Sequence, residues 1–138
     1  MTTIVTPRPP LNLFEVRRTI VDSEWTTIYV VPTYTIPASG PTPQRVVGAA
    51  AIMTGIAVCP ASPAGANVSV RILDTSGTPF PLINDAIAPG NDFLSISLDR
   101  QVLRSGETIQ VRCGAGQSAA THLSFILNQR EEFTEISA

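Results

Sequence analysis

Residues Ser97–Cys113 read Ser-Leu-Asp-Arg-Gln-Val-Leu-Arg-Ser-Gly-Glu-Thr-Ile-Gln-Val-Arg-Cys, and this stretch constrains the fold more than any other. It has the form strand, turn, strand. Apolar residues alternate with polar ones on both sides of Arg104-Ser105-Gly106-Glu107. In the second arm Ile109, Val111 and Cys113 share one face, and Thr108, Gln110 and Arg112 share the other. A period of two marks a strand with one dry and one wet face.

The pattern recurs along the chain. Leu13–Val21 predicts a first strand, with Phe14, Val16 and Ile20 facing in, Glu15, Arg17 and Thr19 facing out, and Arg18 interrupting the dry face. Trp25–Val31 is aromatic and β-branched, and Pro32 predicts a bend or an edge because a central strand needs every ladder donor. Pro37–Pro43 and Pro60–Ala66 are loops. Arg45–Cys59 between them is one long strand, or two with a kink near Gly48 or Gly55; its alanines would also suit a helix. Val68, Val70 and Ile72 alternate with Ser69 and Arg71. Phe80, Leu82 and Ile83 predict a short, Pro-interrupted edge strand. Leu94, Ile96 and Leu98 precede the opening segment, and Leu123, Phe125 and Leu127 line the last strand. Turn signals such as Asp74-Thr75-Ser76-Gly77 and Ala88–Asp92 separate these runs, with no amphipathic helix between them. The expected fold is all-β: an antiparallel β-sandwich of about eight strands, jelly-roll or immunoglobulin-like.

The 138 residues suffice for one domain. Residues 1–12 carry three prolines and predict an extended N-terminal arm. Residues 13–130 form the sandwich, and 131–138 a charged tail. Charged residues make up 14% of the chain, against roughly 25% in ordinary soluble domains. A surface that poor in charge suits burial by neighbouring subunits, although β-sandwiches also substitute Ser and Thr for charge. All nine basic residues are Arg, which suits interfaces and equally fits codon bias. A net charge of −2 gives no general attraction for nucleic acid. The N-terminus lacks the pattern of a signal peptide, and the longest apolar run, Val46–Cys59, is too short and too broken for a membrane span. Synthesis and folding in the cytosol are expected, with neither nucleic acid nor membrane as partner.

Chemistry is sparse. Cys59 and Cys113 read as free, buried core thiols, with a disulfide between them as the alternative. The single histidine, His122, falls on the wet side of the last strand and has no motif partner. No cysteine or histidine spacing suits zinc. Asp74 and Asp92 occupy turn positions where Asp bonds local backbone. Asn84, Asp85, Asn91 and Asp92 come nearest to a calcium loop without reaching one. Gly114-Ala115-Gly116 lacks the rest of a phosphate cradle. Trp25, Tyr29 and Tyr34 could form a sugar-stacking platform or simply pack. No catalytic, cofactor-binding or metal-binding residues are assigned.

Several segments resemble, in order and spacing, small virion structural proteins of tailed bacteriophages. These are Tyr34-Thr35-Ile36-Pro37-Ala38, Val46–Cys59 with its Ile-x-Val-Cys ending, Val68-Ser69-Val70-Arg71, Leu82–Gly90, and Leu103-Arg104-Ser105-Gly106-Glu107-Thr108-Ile109-Gln110-Val111. The family pattern has a Tyr-Thr-(Val/Ile)-Pro strand followed later by a Leu-x-x-Gly-(Asp/Glu)-x-Ile hairpin. The likeness covers residues 33–128 and excludes the arm. It implies a non-enzymatic part of the particle located in the virion: a capsid decoration (cement) protein, or a neck, collar or tail component. A carbohydrate-binding adsorption module is a third class. The implied partners are the phage major capsid protein or neighbouring virion subunits, and further copies of the chain, with a trimer expected. The expected contact residues are Thr6, Pro7, Arg8, Pro9, Pro10 and Leu11 of the arm, together with Arg17 and Arg18. An arm of this kind would add a strand to a neighbour's sheet edge.

Overall fold

The computed structural model describes residues 11–98 and 101–129, and all regular structure in them is strand. Sheet A has the order β1 (Leu11–Val21), β11 (Ala119–Gln129), β5 (Ala49–Pro60), β8 (Leu94–Ser97), and β9 (Val102–Arg104) also pairs with β5. Sheet B has the order β2 (Thr26–Val30), β10 (Thr108–Cys113), β6 (Ala66–Leu73), β7 (Pro79–Ala88). A separate ribbon joins β3 (Tyr34–Ile36) to β4 (Arg45–Val47). Every pairing is antiparallel.

The pairing is nested. β1 meets β11, β2 meets β10, β5 meets β8 and β6 meets β7. These four pairs are the rungs of one long antiparallel ribbon, and alternate rungs fall in alternate sheets. The contacts β11–β5 and β10–β6 then close the roll. That nesting is the double Greek key of a jelly roll, and it excludes the immunoglobulin-like alternative. The eight strands of the roll match the expected number; β3, β4 and β9, three residues each, bring the described total to eleven.

The core lies between the sheets. Phe125, Met53, Ile56, Leu103, Ile109 and Leu123 are its largest fully buried side chains. From sheet A it takes Ala51, Met53, Ile56 and Val58 of β5 and Leu123, Phe125 and Leu127 of β11; from sheet B it takes Val68 and Val70 of β6 and Ile109, Val111 and Cys113 of β10. Tyr29 and Phe125 meet across it with ring centroids 4.3 Å apart. Arg45–Cys59 proves to be two strands, broken at Gly48, with a second irregularity where the β5–β11 register skips Thr54 beside Gly55. β7 lies at an edge as expected but is longer than its prolines suggested, with two register shifts against β6. Gly90 allows the loop after β7 to rest on the loop after β5, since a Cβ there would overlap the Pro63 carbonyl.

Four expectations need correction. β1 begins at Leu11, so Leu11 and Asn12 lie in the sandwich rather than in an arm. Cys59 is exposed; only Cys113 is a core thiol, and both are free. The Ser97–Cys113 segment contains its strands and turn but is not a hairpin. β9 pairs with β5 in sheet A, while β10 pairs with β2 and β6 in sheet B, so the turn is an arch that crosses the sandwich. Gly106, at φ +86°, makes the crossing, and its N–H donates to the Val31 carbonyl at 2.9 Å. Ser105 Oγ donates to the Pro32 carbonyl at 2.8 Å and accepts from the Ala49 N–H at 2.6 Å, tying the arch to the end of β2 and the start of β5. The fourth correction concerns β1 and defines the site.

Candidate functional site

The β1–β11 register decides which side of β1 faces the core. Leu13, Glu15, Arg17, Thr19 and Val21 stand opposite Leu127, Phe125, Leu123, Thr121 and Ala119, all of them buried. Phe14, Val16, Arg18 and Ile20 therefore face outward, the reverse of the sequence expectation. Phe14 is 86% exposed and Ile20 77%. The alternation was legible, but its polarity was not, because β1 is an edge strand whose inner face lies at the rim of the sandwich. Arg17 fits there by laying its guanidinium over Tyr29 and Phe125, 5.2 and 5.7 Å from the ring centroids, and by pairing with Glu15 at 3.0 Å. The aliphatic stem covers the core margin while the head keeps its water and its partner.

Across sheet A the outward positions form rows. One is apolar throughout: Phe14, Ile126, Ile52 and Val102, from four different strands. Next to it Ala50 and Arg104 share a row; on the other side Val16 lies beside Ser124. Arg18, His122 and Ala57 come next, then Ile20, Ala120 and Cys59. Ala50, Ile52, Val102 and Arg104, together with the polar Ser105 and Asn128, line a depression of about 620 Å³. Among the described residues, the outward positions of this sheet carry two arginines and a histidine but no carboxylate. Arg18 Nε donates to His122 Nδ1 at 3.3 Å, and neither Arg18 nor Arg104 has an ion-pair partner among those residues. Glu107, in the arch, accepts from the backbone N–H of Arg104 at 2.7 Å. The face thus sets an apolar row and two arginines among polar positions that include Ser95, Ser97, Ser124 and Asn128, and it contains the strand edge of β1.

Thr6, Pro7, Arg8, Pro9 and Pro10 lie outside the described residues. Arg17 and Arg18 are on opposite sides of β1 and serve different ends. The aromatic platform does not form: Tyr29 is core, and the ring of Trp25 is flanked by Arg71 and Arg112 at 4.0 and 4.5 Å. Asp74 accepts from the N–H groups of Ser76 and Thr78, and Asp92 from that of Phe93, as turn residues do. Asp85, at φ +50°, exchanges hydrogen bonds with Ser69. Among the described residues no three Cys, His, Asp or Glu side chains group to hold a metal ion. Sequence reasoning missed the outward row. The signal was available in the apolar, outward-facing Ile126 and Ile52, which break the polar side of their strands.

No family model matches the chain, and no curated protein matches it either. Two solved structures similar to it are both described as a pentameric capsid protein from metagenomic phage sequences. Each is 16% identical over 89% of this chain, covering 67% and 68% of the other chain respectively, with a TM-score of 0.36. So distant a likeness assigns this chain no role.

Proposed function

We propose that the chain is a non-enzymatic structural protein of a bacteriophage virion, most simply a capsid decoration protein, and that it packs on neighbouring virion subunits through the outward face of sheet A. The observation that carries this reading is the row Phe14–Ile126–Ile52–Val102 together with Val16 and Ile20 on the same face. A solvated sheet face normally shows polar residues. Covering a side chain the size of Phe14 or Ile20 contributes about 1.5–3 kcal/mol. The segments that resemble tailed-phage virion proteins supply the setting, and the jelly roll is a fold used in shells as well as in lectins. With the Trp25 ring already flanked by two arginines, the lectin reading lacks its platform.

We place the contact on the body of sheet A; the contact expected of the arm, residues 6–10, falls outside the described residues. The test is binding of the purified chain to particles that lack it, with wild type compared against Phe14→Glu. Loss of binding by a variant that melts like wild type supports the reading; equal binding overturns it. Copies spread over the shell identify decoration, and copies confined to one vertex identify a neck or collar part.

A further inference from the structure

We infer that the free edge of β1 pairs with β1 of a second copy of this chain, antiparallel about a two-fold axis through Val16, so that two A sheets join into one. This seam uses a strand edge rather than the outward face, and it stands without the virion reading. The edges of the two sheets are closed in different ways. In sheet B, β2 has five residues, and β7 carries Pro79 and Pro81 and two register shifts. At the far side of sheet A, β8 and β9 have four and three residues. Short strands, prolines and bulges all stop an edge from recruiting another chain. β1 has eleven residues, no proline and an unbroken register against β11. Its other edge pairs with no strand among the described residues. The Thr19 carbonyl accepts from Thr121 Oγ1 at 2.8 Å and so turns toward β11. Backbone groups alternate in direction along a strand, so those of Asn12, Phe14, Val16, Arg18 and Ile20 turn to the free edge. There the Val16 carbonyl accepts from Arg17 Nη1 at 3.2 Å, a side chain standing where a ladder donor would.

Inward-pointing charge is a further way to close an edge, and β1 carries Glu15 and Arg17. Their signs and spacing decide what they exclude. A two-fold axis at Glu15 would set that carboxylate against its own copy, and one at Arg17 would set guanidinium against guanidinium. An axis at Val16 sets Glu15 opposite the partner's Arg17 and Phe14 opposite the partner's Arg18, once on each side of the axis. It also brings all eleven residues into register, with Leu11 opposite Val21. Like charges directly opposite destabilise a ladder, whereas opposite charges and a cation beside a ring contribute to it. The register free of repulsion is therefore the one that uses the whole strand. A foreign strand would have to match this order of charge and ring residue by residue; a second copy matches it by symmetry.

The experiment measures the native mass of the full-length chain by sedimentation across a dilution series, beside Glu15→Arg, Arg17→Glu and an equimolar mixture of the two. We expect the wild-type chain to sediment as a dimer that dissociates on dilution. Each variant sets like charges opposite each other twice per dimer and weakens self-association about tenfold. The mixture dimerises, because each variant then meets its opposite, a recovery that no contact within one chain produces. Arg17 also lies over Tyr29 and Phe125, so cysteine pairs in a Cys59→Ser background test the register without touching it. Residues opposite each other have Cα atoms about 5.5 Å apart, within a disulfide's reach. On mild oxidation Val16→Cys links to itself, and Phe14→Cys links to Arg18→Cys but not to itself. A chain monomeric at every concentration overturns the inference, and so does an oligomer in which these cysteines stay unlinked. Phe14→Glu separates this inference from the virion reading: it sets a carboxylate opposite the partner's Arg18, so it stays dimeric while losing particle binding. A dimer whose particle binding ignores Phe14 removes only the virion reading, and a monomer that binds particles through Phe14 removes only the seam.

Discussion

The centres of the two outward faces of the sandwich are built differently. On sheet B the centre of the face is held by polar contacts, with exposed apolar residues such as Val30 and Ile87 confined to its edge strands: Arg71 Nε donates to Gln110 Oε1 at 2.9 Å, the Gln110 amide donates to Thr27 Oγ1 at 3.1 Å, and Trp25 lies between Arg71 and Arg112. On sheet A, Phe14, Val16, Ile20 and Val102 face water with nothing laid over them among the described residues. Both sheets cover the same core, so the core does not demand the difference. A face finished by its own polar contacts is suited to solvent, and a face left apolar is suited to a partner.

The comparison breaks most visibly at what the sheets share. Phe125→Ala removes a ring 1% exposed that meets Tyr29 from the opposite sheet, and it should cost about 3–5 kcal/mol in urea denaturation, with the two sheets melting together. Separate transitions would mean that the sheets are independent. On sheet B, Trp25→Ala should cost about 1–2 kcal/mol by the same assay and leave particle binding and oligomerisation intact. A loss of assembly in that variant would move the interface to the other face.

A smaller effect belongs to pH. Burial, and then Asp22, push the Cys113 thiol up; burial, then Tyr34, push the Tyr29 phenol up, with Arg17 opposing. Both groups favour the protonated form more when folded than when unfolded. Their contribution is therefore fully present below the ordinary thiol and phenol ranges and is lost as pH rises through the folded values. Midpoints measured from neutral to alkaline pH should fall in two stages, and Cys113→Ala should abolish the first. The smallest effect on folding is predicted on sheet A, where Phe14→Glu should alter monomer stability by no more than about 0.5 kcal/mol while abolishing particle binding. A large destabilisation would make Phe14 a folding residue instead.

Much of this fold was legible in the sequence because alternation reports strands directly. The runs around Val68–Ile72, Ile109–Cys113 and Leu123–Leu127 lie where their pattern put them, with the apolar side inward. Alternation fails at two kinds of place. At an edge, as in β1, the face toward the core is half wet, so Glu15 and Arg17 can occupy it and the apolar set can point away. At a crossing, two strands joined by a tight turn resemble a hairpin whether they pair with each other or with different sheets. Between Arg104 and Thr108 the difference lies in where the Ser105 hydroxyl and the Gly106 N–H are bonded, with partners in Pro32, Ala49 and Val31 that are far away in the sequence. The candidate site was hidden in part for the first reason: Phe14, Val16 and Ile20 were visible, but they were assigned to the core.

The position of β11 between β1 and β5 bears on how the molecule can be made. The last of the described strands is an inner member of its sheet, so among the described strands β1 has no neighbour to zip against until that strand has been made. Contacts this distant in sequence are slow to form. Until residues 119–129 emerge, the oily side of β1 is joined by its bare ladder edge, and a polysome carrying many such chains would benefit from a chaperone at that moment.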